Sequence, residues 1–140
     1  MILLFFLLFS LGSVSTLYQS YAVRGRLLCG DTPAESVTVK LFELDLYPHE
    51  NDLLEDGKTD ASGEFYLSGG TAEMTRIEPM LEVIHDCNDG NKTGHRKPKF
   101  LLPHLYITYG MRSLKTFDIG SINLETVFLS EDRDSSDDSV

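Results

Sequence analysis

A chain of 140 residues with a formal charge of −10 has room for one domain with one core. Its acidity excludes a nucleic-acid footprint, which needs a basic face. The charge is uneven: residues 43–60 hold seven acids against one base and residues 131–140 hold five against one, leaving ten of each sign elsewhere.

The chain opens on "ILLFFLLFSLG", 11 uncharged apolar residues from position 2, followed by the small residues "SVST". A bilayer span takes about 20 residues. The shorter run and its small-residue end fit a secretory signal peptide over residues 1–15, cleaved near Ser15 or Thr16. Its n-region lacks Lys and Arg, an imperfection; the alternative is a buried hydrophobic helix. The mature protein is expected to be extracellular.

From there the period is two. In "YAVRGRLLC" the residues Tyr21, Val23, Leu27 and Cys29 share one parity, with Arg24 and Arg26 on the other. "SVTVKL" places Val37, Val39 and Leu41 on one face, then slips to Phe42, Leu44 and Leu46, which suggests a bulge. The acidic stretch that follows reads as a charged connection. "GEFYLSG" offers Phe65 and Leu67 inward, and "GGTAEMTRIEP" is the one segment with the look of a short helical turn.

In "MLEVIHDC" Leu81, Val83, His85 and Cys87 share a parity, with Glu82 and Asp86 opposite. "KFLLPHLYITYG" is a β-rich run broken by Pro103, and "KTFDIGSINLETVF" offers Phe117 and Ile119, then shifts across Gly120 to Ile122 and Leu124. "CGDTPAE", "DASGE", "NDGNKTG" and "YGMRS" punctuate these runs as turns. About seven short strands so spaced make an all-β sandwich over residues 16–129. The acidic tail, 130–140, has no hydrophobic period and is expected to be disordered.

An exported chain with two cysteines allows one bridge, and period-two geometry puts both sulfurs on core-facing parities. A Cys29–Cys87 disulfide closing roughly 60 residues would contribute about 4 kcal/mol. Two buried free thiols or a redox pair are the alternatives, the latter without a Cys-x-x-Cys spacing. "NKT" makes Asn91 an N-glycosylation acceptor in a Gly-rich loop.

Together, "VRGRLLCGDTPAESVTVKLFE", "GKTDASGEFYLSGGTAEMTRIEPMLEVIHDCN" and "KTFDIGSINLE" resemble the transthyretin-like family of secreted nematode proteins, over roughly residues 23–128. The resemblance implies a transthyretin-type sandwich of two antiparallel sheets, extracellular, with no general enzymatic role. Many members carry two further cysteines, one just after "HDCN" and one after "RD". Here Gly94 or His95 stands in the first region and Ser135 follows Arg133 and Asp134. Losing that pair together leaves Cys29 and Cys87 as the complementary pair and the tail untethered.

Chemistry is sparse. The related 5-hydroxyisourate hydrolases end in Tyr-Arg-Gly-Ser, whereas this sequence ends "SSDDSV". His49 and His95 read as solvated, His85 as a core or rim residue, and His104 as a strand-junction residue; no Gly-x-Ser-x-Gly nucleophile accompanies them. Asp45, Glu50, Asp52, Glu55 and Asp56 miss the EF-hand spacing, and Leu53 and Leu54 interrupt them. Zinc would need the cysteines. No catalytic residue, cofactor or metal is therefore expected, the acidic loop being read as solvated with weak, millimolar calcium association as the alternative.

Lys92, Arg96, Lys97 and Lys99 form a basic cluster that could meet an anionic lipid or glycan surface, or be a solvated edge with Pro98 and Phe100 inward. The expected function is a secreted binding module for a small hydrophobic, lipid or cell-surface ligand, with peripheral membrane contact allowed. A hydroxyisourate-hydrolase-like enzyme and a protein-binding adhesive or effector are the alternatives. Charged outward parities, with Arg24, Arg26, Thr38, Lys40, Glu82 and Asp86, argue for a monomer or weak dimer.

Overall fold

A computed structural model describes residues 17–45 and 50–134. The expected signal peptide, Leu46, His49 and the tail beyond 134 lie outside those residues. In chain order the strands are β1 (Leu17–Cys29), β2 (Thr32–Pro33), β3 (Thr38–Glu43), β4 (Asp52–Lys58), β5 (Glu64–Glu73) and β6 (Pro79–Ile84). There follow β7 (Arg96–Lys97), β8 (Lys99–Leu101), β9 (Thr108–Tyr109), β10 (Phe117–Asn123) and β11 (Asp132–Arg133).

The alternation in β1 decides one wall of the core. Tyr21, Val23 and Leu27 are fully buried while Arg24 and Arg26 are exposed. β1 pairs antiparallel with β5 from Leu17↔Glu73 to Arg26↔Glu64. Its other edge takes β9 at Gln19 and Ser20 and, in parallel, β10 from Val23 to Leu28. The β1–β10 register shifts beside Gly25, where an added Cβ would meet the Ile119 side chain at 2.4 Å.

The second sheet runs β4-β3-β6-β8, all antiparallel. Val39, Leu41, Leu81 and Val83 from this sheet pack with Tyr21, Val23, Leu27 and Leu67 from the first, joined by Leu124. The two apolar faces close on each other because each strand hides one parity. This is an all-β, transthyretin-like β-sandwich with seven strands of three or more residues among the described residues; β1 and β10 pair in parallel.

The Cys29–Cys87 disulfide joins the end of β1 to the chain just past β6, with Cα atoms 5.8 Å apart. It crosses from one sheet to the other at the end of the sandwich where β1 runs out. The "DASGE" turn between β4 and β5 is built by Asp60, whose Oδ1 accepts from the N–H groups of Ser62 and Glu64 at 2.9 Å each. Gly63 there has φ +78°, and a Cβ would fall 2.2 Å from the Leu27 carbonyl oxygen.

Four sequence expectations change. Residues 52–58 are strand β4 rather than a connection: β-propensity in "DLLEDGK" is poor, and pairing with β3 overrides it. The bulge between Leu41 and Phe42 falls on the β4 side, where Leu54 lies between the partners Glu55 and Leu53. The inward parity of β3 therefore runs on to Glu43, which is buried. The helical turn is a 3-10 turn at His104–Tyr106, not in "GGTAEMTRIEP", whose first part continues β5 and whose remainder is irregular.

The fourth correction concerns the tail. Residues 130–134 are ordered, with β11 pairing β7 as Asp132↔Lys97 and Arg133↔Arg96. The chain is also held between Gly94–His95 and Asp134. His95 N–H donates to Asp134 Oδ1 at 2.5 Å, Asp134 N–H to the His95 carbonyl at 3.2 Å, and a Cβ on Gly94 would strike the Asp134 carbonyl oxygen.

Candidate functional site

The centre of the expected basic cluster is buried. Arg96 is 5% exposed, and its guanidinium uses all five donors. Nε and Nη2 donate to Glu131 at 2.5 and 3.0 Å, while Nη1 and Nη2 donate to the carbonyls of Cys87, Leu124 and Thr126 at 2.8–3.0 Å. The hydrogen bonds from Arg96 hold the Glu131 carboxyl below its usual range, and Arg133 does the same for Asp89. Lys97 and Lys99 lie 3.9 and 3.8 Å from the Glu82 carboxylate, and Lys99 also donates to Asp132 at 2.9 Å.

Glu82 is consequently buried beneath its own cationic neighbours rather than presented outward. Of the four cations only Lys92 stands exposed, near the exposed acceptor Asn91. The basic cluster is thus a clamp on the C-terminal segment, not an open patch. Alternating Lys residues hid this because Arg96 takes the inward parity.

Each described histidine is engaged. His85 is 4% exposed, its Nδ1 accepts from the Cys87 N–H at 3.0 Å, and Nε2 has no partner among the described residues. Burial, then the neighbouring Arg96, pushes its pKa down to about 4. His95 is half-buried with Nδ1 2.6 Å from Asp86, so it is paired rather than solvated. His104 Nε2 lies 2.5 Å from Glu78. These are separate contacts, with no serine or cysteine nucleophile against any of the imidazoles among the described hydrogen bonds.

An open groove of about 810 Å³ crosses the outer face of β1, β5 and β10, with Arg24, Arg26, Lys58, Asp60, Glu64, Tyr66 and Asp118 along it. Arg24 pairs with Asp118 at 3.2 Å and Arg26 donates to the Ser62 carbonyl; Arg24, Arg26 and Lys58 against Asp60, Glu64 and Asp118 leave the groove without net charge.

The opposite character appears at the other end of the sandwich. Leu101, Leu105, Tyr109, Met111 and Leu114 are each at least 63% exposed. They arise within one short stretch around the 3-10 turn and β9. The frame beneath it is fixed: the Tyr21 hydroxyl donates to the Pro103 carbonyl at 2.9 Å, and the Leu114 N–H to Thr108 Oγ1 at 3.0 Å. Arg112 and Lys115 are exposed in the same stretch, and neither forms an ion pair among the described residues.

At that end too, the strand termini gather carboxylates. Glu43 closes β3, Asp45 follows it, Asp52 opens β4 opposite Glu43, and Glu73 closes β5. One oxygen from each lies within 4.8 Å of the others. Burial, followed by Asp45 and the other carboxylates, pushes Glu43 up to about 8; burial and the same neighbours raise Glu73.

A sequence-family model described as the transthyretin-like family matches residues 24–103. The chain belongs to the transthyretin-like family. Among its relatives is transthyretin-like protein 46 of Caenorhabditis elegans, 57% identical over 117 residues, or 83% of this chain and 65% of the relative. The chain thus spans just under two thirds of that protein's length. Transthyretin-like protein 33 of the same organism is 41% identical over 129 residues, covering 92% of this chain and 90% of its own. Transthyretin-like protein 5 is 42% identical over 116 residues, covering 83% and 84%. None of these names assigns a reaction.

Proposed function

We propose that this transthyretin-like chain is a secreted extracellular binding module, without enzymatic activity, that recognises a lipid surface through its loops. The observation that carries the reading is the stretch from Leu101 to Lys115, where five exposed large apolar side chains accompany Arg112 and Lys115. Exposed apolar side chains gathered in one stretch mark an interaction site, and cations without an acidic partner among the described residues suit anionic headgroups, with Lys115 Nζ also donating to the Leu105 carbonyl at 3.1 Å. Each apolar side chain that leaves water contributes about 1.5–3 kcal/mol when fully buried, and each cation about 1 kcal/mol near an anionic surface.

Arg112 and Lys115, rather than Lys92, Arg96, Lys97 and Lys99, then make the anionic-surface contact. The disulfide supports an oxidising compartment, as export requires. Asn91, exposed in its turn, carries a glycan when the chain passes through a eukaryotic secretory route.

Co-sedimentation of the purified chain with neutral and anionic vesicles tests this. Binding should favour anionic vesicles and weaken in Arg112→Glu/Lys115→Glu, while Lys97→Glu/Lys99→Glu, altered within the clamp, should not abolish it. Equal binding by the first variant and the native chain would overturn the placement. No binding to either vesicle would overturn the lipid reading.

A further inference from the structure

We propose that Glu43, Asp45, Asp52 and Glu73 form a calcium site that ties the ends of β3 and β4 to the end of β5. Three strand ends supply the four carboxylates. Glu43 and Asp52 are direct cross-strand partners, and the Asp45 N–H donates to Asn51 Oδ1 at 3.2 Å, which fixes the two arms of the β3–β4 connection against each other. Glu73 comes from the opposite sheet, where it pairs with Leu17.

Glu43 is the independent sign of a ligand. It is 5% exposed, it continues the inward parity of Val39 and Leu41, and its Oε2 is buried with no hydrogen-bond partner among the described residues. A carboxylate so placed costs free energy unless a cation or donor faces it. The charged groups gathered around it are further carboxylates, and none of the four forms an ion pair with Lys, Arg or His among the described residues, although nine such contacts occur elsewhere. The open groove, by contrast, balances its charges, and the clamp around Arg96 satisfies its own.

The donors choose the ion. Four carboxylates, with no sulfur or imidazole among the described residues of the cluster, suit a hard cation and disfavour zinc. Calcium–oxygen bonds of about 2.3–2.6 Å let oxygens on one ion stand up to roughly 5 Å apart, which accommodates the 4.8 Å limit seen here. Magnesium holds its ligands to about 2.0–2.1 Å in a near-ideal octahedron and keeps more of its water. Four carboxylates can supply from four to eight oxygens to calcium, with water completing the shell. This site stands apart from the lipid-binding reading, because neither Arg112 nor Lys115 takes part in it.

Chelator-treated, disulfide-bonded protein titrated with calcium in a calorimeter is the test, with a parallel thermal melt. One calcium should bind with a Kd on the order of 10⁻⁴ to 10⁻³ M or tighter, with a saturable rise in Tm and a weaker response to magnesium. Glu43→Gln should keep the native circular dichroism and lose at least about tenfold in affinity, as should Asp52→Asn. Asp56→Asn and Glu50→Gln, which alter acids outside the cluster, should bind as the native chain does. Absence of both heat and Tm shift at about 10 mM calcium would overturn the proposal. So would equal losses in all four variants, which would mean diffuse attraction to an acidic protein.

Discussion

Replacing Arg96 with Met removes a guanidinium and leaves its volume approximately filled. In the native fold that group gives two hydrogen bonds to Glu131 and three to backbone carbonyls. The side chains of Arg96 and Glu131 are 6% and 10% exposed, so the carboxylate left behind has little water to turn to. Breaking a buried pair from one side costs about 3–5 kcal/mol, whereas surface substitutions stay within about 0.5 kcal/mol. We expect about 4 kcal/mol, a large part of the 5–15 kcal/mol that holds a domain together. With a urea slope of roughly 2 kcal/mol/M, the unfolding midpoint of the oxidised protein should fall by about 2 M. Arg96→Met/Glu131→Leu should recover part of this, since both charges leave together. A midpoint shift of Arg96→Met below about 0.3 M would refute the clamp and return Arg96 to the surface.

Three further outcomes follow from the fold. Cys29→Ser/Cys87→Ser, which reopens a loop with a sequence separation of 58, should lose about 4 kcal/mol, and unreduced native protein should yield the two cysteines in one linked peptide. The pKa of His85 falls from 6.5 to about 4 on folding, so the unfolded chain binds the extra proton between those values. Its contribution is complete above pH 6.5 and fades as the pH falls toward 4, by about 3 kcal/mol in all; His85→Phe should flatten the urea-midpoint profile in that window. Sedimentation at micromolar concentration in ordinary salt should give a monomer or weak dimer, since Arg24, Arg26, Glu64 and Asp118 charge the outer face of the first sheet; a stable tetramer would contradict it.

What the sequence revealed followed the period of two. Tyr21, Val23 and Leu27, or Leu81 and Val83, announce their buried face because each strand hides one side only. Cys29 and Cys87 fall on those same parities, and they meet. β4 escaped notice because "DLLEDGK" carries charges and a glycine that no intrinsic preference would make a strand; only pairing with β3 does so.

The acidic cluster was half legible. Asp45 and Asp52 stood out as acids, while the buried position of Glu43 was readable by continuing Val39 and Leu41 two residues further. Glu73 was not, since it arrives from β5 through the pairing of two sheets rather than through any local pattern. The same limit applies to Arg96. Its neighbours Lys97 and Lys99 suggest an exposed edge, and nothing local tells that Glu131, 35 residues on, folds back to meet it.

A stretch from Leu101 to Lys115 that enters a lipid surface must carry its side chains out of water. The chain contains no tryptophan, so Tyr109→Trp, at a position 63% exposed, introduces a single reporter there. Emission should shift to the blue when anionic vesicles are added and be quenched by brominated acyl chains, with both effects reduced in the Arg112→Glu/Lys115→Glu background. Emission unchanged by vesicles to which the protein demonstrably binds would contradict the account, because the contact would then lie elsewhere on the sandwich.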